Sequence, residues 1–187
     1  MIKVLLFDFF DVLHRDAQKA WLEAHGLTLS GVFAETTELF DAGEIDMTEY
    51  FRRYADAGNQ PYEDFVAEYQ SYEQLDQELV DLIAQFKGTY KTGLLSNANA
   101  DELRPILTRY DLGRLFDKIC ISSEVGMAKP APEIFLHLAG LLGVTPGECV
   151  FTDDNPRNVA AAESVGMQGI VYTDVAAYHQ QLQELQP

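Results

Sequence analysis

The stretch IKVLLFD, residues 2–8, predicts the fold class of this chain of 187 residues. Residues 2–7 alternate little between polar and apolar side chains and are mostly apolar on both faces. A strand buried on both sides inside a parallel sheet has this pattern, whereas a strand with one solvated face alternates. The run stops at Asp8, which we therefore place at the carboxyl end of a buried strand.

Beyond residue 89, predicted strands alternate with predicted helices. This order is typical of an α/β fold, a doubly wound parallel sheet of Rossmann-like type. We expect strands at 91–95, 117–122, 148–152 and 168–172, and helices at about 99–109, 131–143, 156–165 and 174–185.

Residues 15–88 interrupt the alternation with a helical insertion. Turn signals such as Asp41-Ala42-Gly43 separate its segments. Its predicted helices cover 17–25, 31–40, 47–57, 62–72 and 77–86, and Asp46 with Glu49 is expected to form a capping box at the third. We therefore predict an α/β core from residues 1–14 and 89–187, and a separate helical domain from residues 15–88.

The composition excludes several classes of partner. The formal net charge is −17, so phosphate backbones and anionic membranes are repelled, and we expect no nucleic-acid or membrane partner. No run approaches the roughly 20 apolar residues of a membrane span, and residues 4–7 are too short for a signal peptide. Cys120 and Cys149 lie in apolar runs, which favours buried, reduced thiols in a cytoplasmic protein.

Polar side chains follow the predicted strands at the points where they end. In open α/β sheets, ligands bind beyond the carboxyl ends of the strands, so these side chains are candidate site residues. They are Asp8, Ser96, Asn97, Lys129, Asp153 and Asp154.

Together these side chains have the chemistry of phosphoryl transfer. Three carboxylates around one point repel each other unless a cation is present, and Mg²⁺ is the usual choice for oxygen ligands that leave room for water and a phosphate oxygen. An Asp carboxylate can attack phosphorus and divide one difficult step into two easier ones. A Lys ammonium neutralises phosphate charge, and Ser and Asn can donate to its oxygens. The helix after Asp154 is expected to begin with Asn155 as N-cap and Pro156 at its first position.

The ordered set of motifs resembles the haloacid dehalogenase-like superfamily along essentially the whole chain. The matching segments are FDFFDVL at 7–13, LLSN at 94–97, Lys129-Pro130, and FTDDNPRN at 151–158. In that family, a helical insertion directly after the first motif is a cap over the active site. The resemblance therefore implies that residues 15–88 form a small α-helical cap.

The resemblance also implies roles for individual residues. Asp8 is expected to be the nucleophile and a magnesium ligand, with the backbone carbonyl of Phe10 completing the protein ligands. Asp154 is expected to bind the metal directly, and Asp153 directly or through water. Asn158 either orders a metal-bound water or lies on the helix surface.

The same resemblance assigns the phosphate-binding side chains. Ser96 and Asn97 are expected to hold the transferring group, and Lys129 to neutralise it. With few basic residues in the insertion, we expect a small phosphorylated metabolite with one phosphate. Arg52 and Arg53 are expected to form a solvated helix face rather than a second anion site. The oligomeric state is left open.

The chain departs from the family pattern at one position. Phosphatases of the family usually carry a second Asp two residues after the nucleophile, which protonates the leaving group and later activates water. Here that position holds Phe10, and an Asp follows at Asp11. Three explanations stay open: Asp11 turns inward, His14 serves although a surface position at the hinge is expected, or the substrates have good leaving groups.

Two other functions compete with phosphatase activity. A dehalogenase, in which Asp8 attacks carbon, also carries a bulky residue at the position of Phe10, but such a reaction leaves Asp153 and Asp154 without a task. A former hydrolase that only binds a partner or metabolite would explain the missing acid, but not the retained carboxylates and Lys129.

Overall fold

A computed structural model describes residues 1–185. Its centre is one five-stranded parallel sheet with the strand order β3-β2-β1-β4-β5. The strands are β1 (Val4–Phe7), β2 (Lys91–Ser96), β3 (Lys118–Ile121), β4 (Cys149–Asp153) and β5 (Gln168–Val171). The predicted α/β fold with a doubly wound parallel sheet is confirmed, and β1 lies at its middle.

Helices connect successive strands of the core. They are α6 (Ala100–Arg109), the short α7 (Ser122–Val125), α8 (Pro132–Leu142), α9 (Pro156–Ser164) and α10 (Val175–Glu184). Each predicted core helix is present within two residues of its expected ends. The side chain of Asn155 accepts from the Arg157 amide and Pro156 begins α9, as predicted.

Before β2 the chain forms α1 (Ala17–Ala24), α2 (Val32–Asp41), α3 (Met47–Ala57), α4 (Tyr62–Ser71) and α5 (Gln77–Phe86). Asp16, Asp46 and Asp76 begin three of these helices, each with its side chain accepting an amide N–H three residues on. Such caps contribute about 1 kcal/mol each. The forward bond of the expected capping box is present at Asp46, while the Glu49 carboxylate pairs with Arg52 and Arg53.

The sheet is covered on both faces, which explains the apolar pattern of β1. Leu5 and Phe7 pack in one cluster with side chains of α5, α6 and α10, and Val4 and Leu6 pack in another with α8 and α9. All four side chains are at most 1% exposed. A burial of this kind stabilises by about 25 cal/mol for each Å² of apolar surface.

The helical insertion divides differently from the prediction. Residues of α1–α4 pack around Trp21 in a cluster of their own. We call this part the four-helix cap (residues 17–72), after the cap that the family resemblance implies. Leu79, Val80 and Ile83 of α5 instead pack with Leu5 in the cluster under the sheet. The predicted cap boundary at residue 88 is therefore too late, because the periodicity of α5 shows an apolar face but not which surface covers it.

Two short connections join the four-helix cap to the core. The amide of Arg15 donates to the Gln74 carbonyl at 2.8 Å, and the amide of Asp76 donates to the Leu13 carbonyl at 2.8 Å. The entering and leaving chains thus run side by side, with His14 and Leu75 in an antiparallel bridge. Within residues 1–185, no helix has the length and apolar character needed to cross a membrane.

Candidate active site

Three carboxylates meet at the carboxyl ends of β1 and β4. Phe7 pairs with Thr152 across these strands, so Asp8 lies beside Asp153 and Asp154. One oxygen from each of the three side chains falls within 4.8 Å of the others. The predicted metal ligands are thus brought together, with Asp8 and Asp153 buried and Asp154 half-buried.

The ammonium of Lys129 bridges two of these carboxylates. Its Nζ lies 2.7 Å from Asp8 Oδ1 and 2.6 Å from Asp153 Oδ2. The Lys129 side chain is only 1% exposed. In a buried setting such charge-assisted bonds are stronger and shorter than neutral ones, so the ammonium holds both carboxylates in place.

Asp153 uses both its oxygens within the protein. Besides Lys129, it accepts from the Asn155 amide at 2.8 Å and from the Asn158 side-chain amide at 3.1 Å. Asn158 is buried, so the surface position considered for it is wrong. Asp154 differs, because its carboxylate accepts no hydrogen bond from any donor within residues 1–185. Asp154 therefore has the freer oxygens for an external ligand.

The pKa values of two carboxyl groups in this site are raised above their ordinary values. Burial, opposed by Lys129 and reinforced by Asp153, raises the pKa of Asp8 to about 7. Burial first, and then Asp153 and Asp11, raise the pKa of Asp154. Both shifts describe a site in which one ammonium does not balance three carboxylates.

Ser96 and Asn97 follow β2 next to this cluster. Ser96 is fully buried, and its hydroxyl has no hydrogen-bond partner in the part of the chain that the structure describes. A buried hydroxyl without a partner costs about 1–3 kcal/mol of stability, and a bound ligand that accepts its hydrogen bond would recover that cost. The Asn97 side chain binds the Lys129 main chain instead, donating to its carbonyl at 2.8 Å and accepting from its amide at 2.8 Å.

Asp11 has a left-handed backbone with φ of 55°, and its negative charge contributes to the raised pKa of Asp154. Its carboxylate pairs with Lys19 of α1 at 2.5 Å and accepts from the Asp16 amide at 3.1 Å. It lines a groove of about 360 Å³ that also contains Asp154. Asp11 thus links the core to the four-helix cap at the rim of the site.

His14 is buried and does not lie on the surface as expected. Its ring stacks on Phe9 with centroids 5.4 Å apart, and its Nδ1 lies 2.9 Å from the Arg15 carbonyl. The Nε2 atom has no partner among residues 1–185. Burial lowers the pKa of His14 below its ordinary value. The interpretation as a surface hinge residue is wrong, because the aromatic ring completes the packing beneath Phe9.

A cavity of about 100 Å³ lies between the four-helix cap and the strand ends, and we call it the cap cavity. The core contributes Phe10, Asn97, Ala98 and Glu102 to its lining. The four-helix cap and its entering chain contribute Asp16, Gln18, Thr37, Asp41, Tyr50 and Tyr69, among others. Since ligand pockets for drug-sized molecules measure about 300–1,000 Å³, this space suits a small group.

The acidic lining of the cap cavity escaped sequence reasoning. Burial and the charges of Asp16, Asp41 and Glu73 raise the pKa of Glu102 to about 8, and burial with Asp16 raises that of Asp41 to about 6. Glu102 lies in the first turn of α6, directly after the segment with Ser96. First turns after a strand face the carboxyl edge of the sheet, so this position was the available signal.

Aromatic side chains of the insertion pack inside the four-helix cap. Tyr54 is fully buried inside the four-helix cap, and Phe51 packs against Phe65 and Tyr69 in the same cluster. Phe40 and Tyr50 belong to that cluster and also line the cap cavity.

The carboxylate cluster fits a magnesium ion. Oxygen donors at this spacing, carrying more negative charge than Lys129 compensates, are what a small divalent cation requires. Within residues 1–185, Asp8 and Asp154 each retain an oxygen without a hydrogen-bond donor, while Asp153 is held by Asn155 and Asn158.

The chain is similar in sequence to curated phosphatases. The chain is 27% identical to the sesquiterpene phosphatase astK of Aspergillus oryzae over 156 residues, 81% of this chain and 80% of that protein. Further curated phosphatases match over 36% to 40% of their own length.

Solved structures share the fold. A HAD family enzyme of Bacteroides thetaiotaomicron in complex with magnesium and inorganic phosphate superposes with a TM-score of 0.73 at 23% identity, covering 92% of this chain and 95% of that one. The L-2-haloacid dehalogenase of Xanthobacter autotrophicus reaches 0.65 at 21%, covering 98% and 83%. Residues 2–166 match the model of the haloacid dehalogenase-like hydrolases, so the chain belongs to this hydrolase family.

Proposed function

We propose that this protein is a Mg²⁺-dependent phosphatase that hydrolyses a small phosphate monoester through an aspartyl phosphate on Asp8. The observation that carries the proposal is the position of Lys129, whose ammonium touches both Asp8 and Asp153. The proposed nucleophile Asp8, the proposed metal ligands and the ammonium that would balance phosphate charge thus lie next to one another. The magnesium and phosphate in the Bacteroides structure support the same assignment.

In this mechanism, the Asp8 carboxylate attacks phosphorus as the bond to the leaving oxygen breaks. Lys129 holds Asp8 oriented and balances charge on the phosphoryl oxygens. Ser96 donates its free hydroxyl to one of those oxygens, which satisfies a group that has no partner otherwise. Asn97 fixes the Lys129 main chain, so it acts by positioning the ammonium.

The metal has a limited and definite task. When bound, Mg²⁺ would neutralise negative charge of the carboxylates and of the transferring group. Asp8 and Asp154 are its proposed side-chain ligands, together with the backbone carbonyl of Phe10. Asp153, whose oxygens are engaged with Lys129 and Asn158, supports the set directly or through water.

The substrate is proposed to be a small cytoplasmic metabolite with one phosphate. The cap cavity offers about 100 Å³. Its lining is acidic, which disfavours a second phosphate. Arg52 and Arg53 both pair with Glu49 on α3, so neither is proposed to bind a second phosphate.

The test is phosphate release from 4-nitrophenyl phosphate and a panel of small phosphate monoesters, with Mg²⁺ or with chelator. We expect release that requires Mg²⁺ and is abolished in Asp8→Asn. Asp154→Asn should raise the Mg²⁺ concentration needed for half-maximal activity. Asp117→Asn serves as the control, because the Asp117 carboxylate lies away from the site and accepts from the Thr92 amide.

The same assay separates the competing functions. The bulky residue Phe10 favours a dehalogenase, and a dehalogenase would release halide from 2-haloacids without added metal. Magnesium binding by calorimetry without any turnover would indicate a binding protein. Either result, in place of Asp8-dependent phosphate release, would refute the phosphatase proposal.

A further inference from the structure

The leaving group of the proposed reaction needs a proton, and the usual donor position holds Phe10. The two alternatives closest in sequence are Asp11 and His14. Asp11 is paired with Lys19 and does not line the cap cavity. His14 is packed beneath Phe9 and does not line it either.

Three carboxyl groups line the cap cavity among the described residues: Asp16, Asp41 and Glu102. Asp16 is committed to the start of α1, where its Oδ1 accepts from the Lys19 amide at 3.0 Å. Asp41 is carried by the four-helix cap, at the end of α2. Glu102 alone is carried by the core, on the first turn of α6, and is half-buried.

The position of Glu102 is well defined. Asn99 begins α6, its Oδ1 accepting from the Asp101 amide at 2.8 Å while its Nδ2 donates to the Phe40 carbonyl of the four-helix cap. The Tyr69 hydroxyl, also from the four-helix cap, lies 3.5 Å from Glu102 Oε1. Glu102 therefore belongs to the core, like Asp8 and Ser96, and its carboxyl group lies beside the Tyr69 hydroxyl in the lining of the cap cavity.

We propose, resting on the proposed function, that Glu102 is the proton donor to the leaving group. As Asp8 attacks and the phosphorus–oxygen bond breaks, the carboxyl proton of Glu102 passes to the departing oxygen and leaves an alcohol and a carboxylate. A water that then attacks the aspartyl phosphate gives its proton to that carboxylate. Inorganic phosphate and the Asp8 carboxylate result, and Glu102 is protonated again.

The surroundings keep a proton on Glu102 at neutral pH. Burial, followed by the negative charges of Asp16, Asp41 and Glu73, raises its pKa to about 8. The titratable groups that face it are Asp16 before α1, Asp41 of α2, Tyr50 of α3, and Tyr69 and Glu73 of α4 and its end. No Lys or Arg among residues 1–185 lines the cap cavity, and Arg109 is paired with Glu73.

The experiment compares two aryl phosphates that differ in their need for an acid. Phenyl phosphate leaves as a phenolate with a pKa of about 10, like tyrosine, whereas 4-nitrophenyl phosphate leaves as an anion that is stable at neutral pH. We expect Glu102→Gln to lower kcat on phenyl phosphate by about 10²-fold or more, and on 4-nitrophenyl phosphate by less than about tenfold. Asp101→Asn, which changes the exposed neighbour outside the cap cavity, should alter neither.

A pH profile supplies the second measurement. Wild-type kcat on phenyl phosphate should fall above about pH 8, where Glu102 loses its proton, and this limb should be absent in Glu102→Gln. Circular dichroism and a thermal midpoint show that the variant is folded.

An equal loss on both substrates, or an unchanged pH limb, would overturn the role of Glu102 while leaving the phosphatase proposal intact. Absence of Asp8-dependent release from both aryl phosphates would overturn the phosphatase proposal, and the role of Glu102 with it.

Discussion

Lys129 Nζ lies 2.6 Å from Asp153 Oδ2 inside the protein, and 2.7 Å from Asp8 Oδ1 on its other side. One buried ammonium therefore compensates two buried carboxylates. Replacing it leaves both without a countercharge, which is more costly than losing a surface ion pair.

We expect Lys129→Met to lower the free energy of unfolding by about 3–5 kcal/mol near neutral pH with chelator present. Added Mg²⁺ should recover part of the loss, because it supplies positive charge at the same carboxylates. Urea denaturation measures both values. Lys118→Met removes an exposed ammonium from β3 and should change little. Equal effects of the two substitutions would contradict the pairing.

Ser96 is expected to separate stability from activity. Its hydroxyl is buried without a partner, so Ser96→Ala should leave the free energy of unfolding unchanged or raise it by up to about 1 kcal/mol, while phosphate release falls. Thr92→Val is the matched control, because the Thr92 hydroxyl donates to the Leu115 carbonyl. That variant should lose about 1–3 kcal/mol and keep its kcat. A strongly destabilised Ser96→Ala protein would show that the hydroxyl has a partner.

Glu102 should make stability depend on pH. Its pKa rises from 4.5 to about 8 on folding, so between these values the unfolded chain has released a proton that the folded protein keeps. Glu102 therefore contributes fully to the free energy of unfolding below about pH 4.5, and this contribution is lost as the pH rises through about 8. In Glu102→Gln the loss is absent.

The advantage of Glu102→Gln over the wild type should accordingly grow with pH, by at most about 1.4 kcal/mol per pH unit. Urea midpoints of both proteins at about pH 5 and about pH 8 measure this difference. A difference that is the same at both pH values would show that Glu102 titrates normally.

His14 should have the opposite pH dependence. Burial lowers its pKa from 6.5, so the folded protein resists a proton that the unfolded chain accepts. Its contribution to stability is present above about pH 6.5 and is lost as the pH falls through the lower folded value. We expect His14→Phe, which keeps a ring against Phe9, to lose less stability than the wild type between about pH 7.5 and about pH 5.

Activity distinguishes this structural role from a catalytic one. Because His14 does not line the cap cavity, the variant should retain the wild-type ratio of rates on phenyl and 4-nitrophenyl phosphate. A selective loss on phenyl phosphate would instead make His14 the acid.

The sheet was predictable because each strand is a short apolar run with a polar residue at its end. β1 ends at Phe7, directly before Asp8, and β4 ends at Asp153, one residue beyond its predicted end at residue 152. Since parallel strands end at one edge, the meeting of Asp8, Asp153 and Asp154 followed from the same pattern.

Contacts between distant segments were not predictable in this way. The periodicity of α5 indicates an apolar face, yet both the cap helices and the sheet could cover it, and only the packing of Leu79 and Ile83 under the sheet decides. His14 is a polar residue type whose burial depends on the ring of Phe9. The proton affinity of Glu102 depends on Asp16 and Asp41, which belong to another part of the chain.

The paired hydrogen bonds between Asn97 and the Lys129 main chain make a side-chain carboxamide imitate a peptide unit. The Asn97 side chain thus continues, just beyond β2, the pattern of paired hydrogen bonds that joins neighbouring strands. Only a group with a donor and an acceptor at this length can do so. Aspartate would face the Lys129 carbonyl with a second acceptor, and glutamine would overreach by a methylene. The backbone geometry around Lys129 therefore determines which amino acid fits at position 97, although the residue also lines the cap cavity.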